Sequence, residues 1–287
     1  MKRVLVTGAR GFVGRHLLTN LSHDHIVVGV DLADGLDLSD LASFERIEGY
    51  FDCVIHLAAR SFVPDSFTDP VSFYQTNLVG TLHVAEFCRR RNVPCLIYPN
   101  TYVYGNPQQL PVTEQHPIAL PSPYHRSKML AEELLRYYFP PDGTRVISLR
   151  IFNLYGPGQD NRFLVPRLIE QAAAQTFVTV KDASPRRDFL YIQDFVDLIA
   201  RIVASVEPPP GIYNVGTGRS HSVAEIVAAL AEILQKPLRL NDDRAPRLNE
   251  ITDCYADTAR AREAFGWTPT FTLKAGLRAI LSGGTHV

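Results

Sequence analysis

The stretch RVLVTGARGFVG, residues 3–14, decides the fold. RVLVTG reads as a short buried strand, and FVGRHLLTNL (12–21) reads as a helix with Phe12, Val13, Leu17, Leu18 and Leu21 on one side. Between them Gly8, Gly11 and Gly14 are spaced G-x-x-G-x-x-G. Glycines at a strand-to-helix turn permit a tight bend and let the backbone approach a pyrophosphate. The helix start then offers free N–H groups and the positive end of its dipole. Strand before and helix after supply the context that a glycine triplet alone lacks.

Working outward, strand-like runs alternate with helical ones. HIVVGVD (25–31), FDCVIHLAA (51–59), VPCLIYP (93–99) and RVISLRIFN (145–153) are predicted strands. LASFERI (41–47), residues 71–91 and SPYHRSKMLAEELLRYY (122–138) are predicted helices. Helices between strands imply right-handed βαβ units and a parallel sheet. After Asn153 the texture changes. A Gly/Pro-rich loop (155–162) precedes a helix, a basic strand RRDFLYI (186–192), a helix over 193–205, the break PPPG (208–211) and an amphipathic helix over 223–234.

Bulk properties narrow the function. The chain has 287 residues, 46% of them hydrophobic and 21% charged, enough apolar material for a sizeable core. Lys plus Arg is 29 against 30 for Asp plus Glu, a formal charge of −1 that argues against nonspecific nucleic-acid or membrane binding. Cys53, Cys88, Cys95 and Cys254 are scattered without metal-ligand spacing, so no metal is expected and free thiols in a reducing compartment are. With no apolar run long enough for a membrane span and no signal-like start, a cytoplasmic protein is expected.

The second strand ends in Asp31, 17 residues beyond Gly14. A carboxylate there can hold the ribose hydroxyls of NAD and repel the extra phosphate of NADP. Asp37 and Leu38 are candidates to lie under the adenine, and Leu57, Ala58 and Ala59 leave room for the cofactor at the end of the third strand. Tyr124 precedes Lys128 by four residues, one helical turn, so an ammonium can favour the phenolate of a phenol that ordinarily titrates near ~10.

The order TGARGFVG (7–14), HLAA (56–59), VYG (103–105), SPYHRSK (122–128), RIFNLYGPG (150–158), RRDFLYIQD (186–194), YNVGTG (213–218) and FGWTP (265–269) resembles the extended short-chain dehydrogenase/reductase family, and within it the NAD-dependent nucleotide-sugar epimerases and dehydratases. The resemblance spans nearly the whole chain. It implies an α/β fold, a Rossmann-type doubly wound parallel sheet with a smaller C-terminal α/β lobe for substrate. The NAD-binding domain is expected over 1–153, with roughly 188–210 returning to it, and the sugar-nucleotide lobe over 154–187 and 211–287.

By the resemblance, Tyr124 takes a proton from a sugar hydroxyl while hydride leaves the same carbon for the nicotinamide, and Lys128 holds the nicotinamide ribose and lowers the Tyr124 pKa. It also implies that Asn153 meets the diphosphate, that Arg187 and Arg247 grip nucleotide and phosphates, that Val165 begins the helix covering the base, and that Ser61 contacts the sugar. A homodimer through the helices at 71–91 and 122–138 is implied as well.

One position departs from the family. Ser or Thr is usual five residues before the glycine of VYG, where this chain has Asn100, followed by Thr101. Either Thr101 serves or the Asn100 amide polarises the C4 oxygen. The family's 4,6-dehydratases carry an acidic pair before VYG, and Asn100-Thr101-Tyr102 contains none, leaving Glu114 as a distant acid. The expected activity is 4-epimerisation of a nucleotide sugar through a 4-keto intermediate. The alternatives are reduction of a 4-keto-6-deoxy sugar nucleotide, dehydration, and an NAD-responsive binding protein without catalysis.

Overall fold

The computed structural model describes residues 1–244 and 251–283. Its centre is a six-stranded sheet made of β1 (Arg3–Thr7), β2 (Ile26–Val30), β3 (Cys53–His56), β4 (Cys95–Asn100), β5 (Arg145–Ile151) and β6 (Gly211–Val215). The spatial order is β6-β5-β4-β3-β1-β2 and every pairing is parallel. Parallel strands covered on both faces must be apolar throughout. Accordingly Val4, Val6, Cys53, Ile55, Ile97 and Leu149 belong to one core cluster, while the alternating Leu5, Val54, Leu96 and Tyr98 belong to another.

The helices are α1 (Phe12–Leu21), α2 (Gly80–Arg90), α3 (Pro123–Tyr138), α4 (Leu164–Ala174) and α5 (Ile192–Ala204), followed by shorter and later ones. The buried residues of α1 and α5 join the first cluster, and those of α2 and α3 join the second, so the two pairs cover opposite faces of the sheet. The chain runs from β1 outward to β2, then crosses back over β1 to β3 and continues the other way. In such sheets ligands collect at the carboxyl ends of the strands where the order reverses, here β1 and β3.

Three differences from the sequence reading have physical reasons. Gly211–Val215, expected in the smaller lobe, is the sixth strand of the central sheet, pairing Tyr213 with Leu149 and Val215 with Ile151. The strand expected to reach Asn153 stops at Ile151. The Phe152 N–H donates to the Val215 carbonyl, and Asn153–Tyr155 then pairs with Phe189–Tyr191 away from the sheet. The helix expected over 71–91 contains a π-turn at Gln75–Val79, an insertion often found where a side chain has a task. Asn77 inside it is buried, donating to the Ser127 hydroxyl and the Arg60 carbonyl and accepting from the Arg60 N–H.

Two buried carboxylates tie the later elements down. Asp188 accepts from the N–H groups of Thr217, Gly218 and Ala256. Asp194 accepts from Thr270 and Phe271, while the fully buried Trp267 donates its indole N–H to the Asp194 carbonyl.

Candidate active site

The glycine turn follows β1. Gly8 has φ +70°, and a Cβ there would stand 2.7 Å from the Ala58 nitrogen. A Cβ on Gly14 would stand 2.4 Å from the Gly8 carbonyl oxygen. The turn is therefore closed backbone against backbone, and only glycine fits. Gly11 caps α1 without any side-chain bond, so the first amides of the helix stay open to an anion. Phe12 and Val13 pack their side chains against the core, so at the turn they offer backbone only.

Around this turn the other expected cofactor residues assemble. The Leu57 N–H donates to the Thr7 carbonyl and the Ala58 N–H to the Thr7 hydroxyl, fixing the end of β3 beside Gly8; Ala59 follows, half-buried. Asp31 accepts from the N–H groups of Arg10 (3.0 Å) and Ala33 (3.2 Å). Asp37 is exposed and caps Ser39, whereas the Leu38 side chain is buried and its carbonyl bonds the His83 ring. The bare glycine cradle, the open helix start and the strand-end carboxylate together fit a dinucleotide.

The second group lies at the end of β4. Ser122 caps α3, accepting from the His125 N–H, and Pro123 opens the helix, which places Tyr124 in its first turn. Burial pushes the Tyr124 phenol up, and a hydrogen bond with the Thr101 side chain opposes that. Phe73 stands edge-on to its ring. Lys128 is 5% exposed; it donates to the Pro99 carbonyl at 2.9 Å and lies 4.1 Å from the Tyr98 ring centroid. Burial lowers its pKa to about 7, with the Glu132 charge pulling the other way. The expected depression of Tyr124 by Lys128 is thus not what this environment gives: burial weakens the ammonium and raises the phenol together.

Asn100 is 4% exposed and its side chain is engaged elsewhere. Its amide donates to Glu132 at 2.7 Å and its carbonyl oxygen accepts from the Thr101 N–H at 2.8 Å. Glu132 also accepts from the Ser148 hydroxyl and from the buried Arg150 guanidinium. Of the two candidates, Asn100 is engaged by Glu132, and Thr101 is the one whose side chain holds the Tyr124 phenol down against burial. Sequence reasoning misses Glu132, Arg150 and Ser148. One signal is present: Tyr124, Lys128 and Glu132 are spaced four apart and share one helix face.

A neutral chain runs from the glycine turn through His56 and Thr81 to Asn77 and Ser127, whose hydroxyl donates to the Tyr124 carbonyl. The Thr7 hydroxyl lies 2.8 Å from His56 Nδ1, and His56 Nε2 lies 2.9 Å from the Thr81 hydroxyl. Burial, then the Lys128 charge, lower the His56 pKa to about 3, so the ring is neutral.

The expected substrate residues are less uniformly placed. Ser61 is exposed on the loop after β3. Asn153 is half-buried and donates to the Asp188 carbonyl. Val165 is 3% exposed, so its side chain serves the core and only its backbone is left to meet a ligand. Arg187 donates to the carbonyls of Arg186 and Ile251. Burial pushes up the phenol of Tyr102, next to Thr101, and the Arg187 charge partly opposes that rise. Arg247 lies outside the described residues. Glu114 is taken up by the Asn214 N–H at 2.8 Å. Among the described residues no helix is long and apolar enough to cross a membrane.

Known proteins share the fold. Residues 4–216 match the model of the NAD dependent epimerase/dehydratase family. GDP-6-deoxy-D-mannose reductase of Pseudomonas aeruginosa is 33% identical, over 98% of this chain and 96% of that protein. The structure of RMD from Pseudomonas aeruginosa complexed with NADPH superposes with a TM-score of 0.90 at 33% identity, covering 98% of both chains. The UDP-glucose 4-epimerase of Thermus thermophilus, in complex with NAD, gives a TM-score of 0.86 at 30% identity over 99% of this chain and all of that one. The chain belongs to the NAD dependent epimerase/dehydratase family.

Proposed function

We propose that this protein is an NAD-dependent nucleotide-sugar 4-epimerase. The observation that carries the reading is Tyr124 in the first turn of α3 with the buried Lys128 one turn on, held to the carboxyl end of β4 through the Pro99 carbonyl. A bound NAD would supply the hydride acceptor for the sugar carbon and the donor for its return to the opposite face. Tyr124 exchanges the proton of the reacting hydroxyl. Thr101 hydrogen-bonds the same oxygen and takes the part that family members give to the residue at Asn100. Lys128 is assigned to the nicotinamide ribose, one helical turn from Tyr124. Asp31 at the end of β2 supports NAD as the cofactor. Asn153, Arg187 and Arg247 are assigned to the diphosphate and nucleotide, and Ser61 to the sugar.

Likeness to the Pseudomonas aeruginosa reductase favours a second reading, reduction of a 4-keto-6-deoxy nucleotide sugar by the same Tyr124 and Lys128. Dehydration is disfavoured because it needs a base for the C5 proton. Glu114 is held by Asn214 and Glu132 by Arg150. Exposed Leu82, Leu130 and Tyr137 on the adjacent helices α2 and α3 support a homodimer.

Proton NMR of the anomeric region separates the two enzymatic readings. The protein is incubated with UDP-, GDP- and dTDP-hexoses and no added cofactor. A new anomeric signal at unchanged mass supports the epimerase and names its substrate. No change across the panel overturns it and favours the reductase, which must then consume NADH or NADPH with a 4-keto sugar.

A further inference from the structure

The segment after β2 reads DLADGLDLSD, with aspartates at 31, 34, 37 and 40. Three of them have a backbone task. Asp31 accepts from the Ala33 N–H, Asp37 from Ser39 and Asp40 from Ala42. Asp34 is different: its carboxylate is engaged by the Arg10 side chain, through Nη2 and through Nε at 3.1 Å. Arg10 belongs to the glycine turn, and its own N–H donates to Asp31. The guanidinium therefore starts beside the carboxylate assigned to the adenosine ribose. A cation there is what a ribose 2′-phosphate would need, since a guanidinium binds phosphate oxygens in pairs.

We propose that Asp34 is a cofactor-specificity residue: by occupying the Arg10 fork it withholds the cation of the glycine turn from a 2′-phosphate, and so enforces NAD over NADP. This rests on the reading of Asp31 as the ribose ligand. Asp31 repels the extra phosphate directly, and Asp34 removes the group that could compensate. The related Pseudomonas aeruginosa structure is complexed with NADPH, so the family's cradle as such does not exclude the larger cofactor.

The test is equilibrium binding of NAD and NADP, followed by protein fluorescence, which needs no sugar substrate. In the wild type NAD binds more tightly. Asp34→Ser tightens NADP about tenfold and leaves NAD within about twofold, because a freed guanidinium gains charge-assisted bonds to phosphate. Adding Arg10→Gln to Asp34→Ser removes the gain. An unchanged NADP affinity in Asp34→Ser overturns the proposal, as does a gain that survives Arg10→Gln, which would trace it to lost repulsion alone. Asp31→Ala tests the underlying reading separately: if NAD and NADP weaken equally, the ribose assignment fails whatever Asp34 does. A wild type preferring NADP overturns both.

Discussion

The turn after β1 and the turn after β4 leave the same edge of one sheet, and they are built from opposite materials. At the first, backbone does everything. Gly8 and Gly14 approach other main-chain atoms too closely for a side chain, and the nearby ion pair of Arg10 with Asp34 is 62% and 38% exposed. At the second, side chains do everything. Asn100, Glu132, Ser148 and Arg150 satisfy one another inside the protein, and the Arg150–Glu132 pair is only 4% and 3% exposed. A backbone cradle can hold a ligand whose shape is fixed. A buried polar lattice fixes the direction of a few reacting groups and is destabilised sharply when one member is lost.

The comparison breaks first at the reaction itself. Tyr124→Phe keeps the ring and removes only the hydroxyl, so turnover falls about 10³-fold or more while NAD binding stays near wild type. If turnover and NAD affinity fall together, the two turns are not separable in the way their construction implies. Thr101→Val is expected to lower turnover more than Asn100→Ser, because the Thr101 side chain opposes the rise of the Tyr124 phenol while Asn100 is tied to Glu132.

Stability gives the next largest contrast. Arg150→Met leaves the Glu132 carboxylate buried without its cation and should cost about 3–5 kcal/mol in urea unfolding. Asp34→Ser removes half of an exposed pair, which contributes little in water, and should move the midpoint far less. Equal midpoints for the two variants would mean that the Glu132 lattice is no more structural than a surface pair.

Legibility in the sequence follows the same divide. The glycine turn is readable because its requirement is local. Strand, three glycines and helix start lie together in RVLVTGARGFVG, and the spacing itself encodes the backbone approach. The β4 lattice draws on Asn100, Glu132, Ser148 and Arg150, residues of three elements that meet only after β4 and β5 pair and α3 packs across them. Each of those residues, taken alone, is an ordinary polar residue. The strand Gly211–Val215 escapes a local reading too, because joining the central sheet depends on pairing with β5, far earlier in the chain. Val165 is expected to begin the helix over the base, and its side chain is buried in the core.

A smaller effect probes the glycine turn. Gly14→Ala would bring a methyl group to 2.4 Å from the Gly8 oxygen and 2.6 Å from the Ala9 oxygen, both main-chain atoms that can yield only by moving the cradle. Overpacking of this kind costs about 1–3 kcal/mol, and NAD affinity should fall with it, while the Tyr124 environment is left intact. Unaltered NAD affinity would show that the cradle is not where the dinucleotide sits.

A slope with pH probes the turn after β4 from another side. Lys128 titrates near 7 in the folded protein against an ordinary value of 10.5, and burial is the main cause. Below about pH 7 both folded and unfolded chains carry the charge, and the fold bears the full cost of burying it. As pH rises from there toward 10.5, the unfolded chain keeps a proton that the fold has given up, so this contribution favours folding by about 1.4 kcal/mol more per pH unit. Lys128→Met has no such proton to lose. Its stability relative to wild type should therefore be most favourable near about pH 6 and decline steadily from about pH 7 to about pH 9. Urea midpoints of the two proteins that run parallel across that range would show that Lys128 stays charged in the fold. Burial would then no longer set its state, and the turn after β4 would hold a fixed cation in place of one poised to exchange its proton.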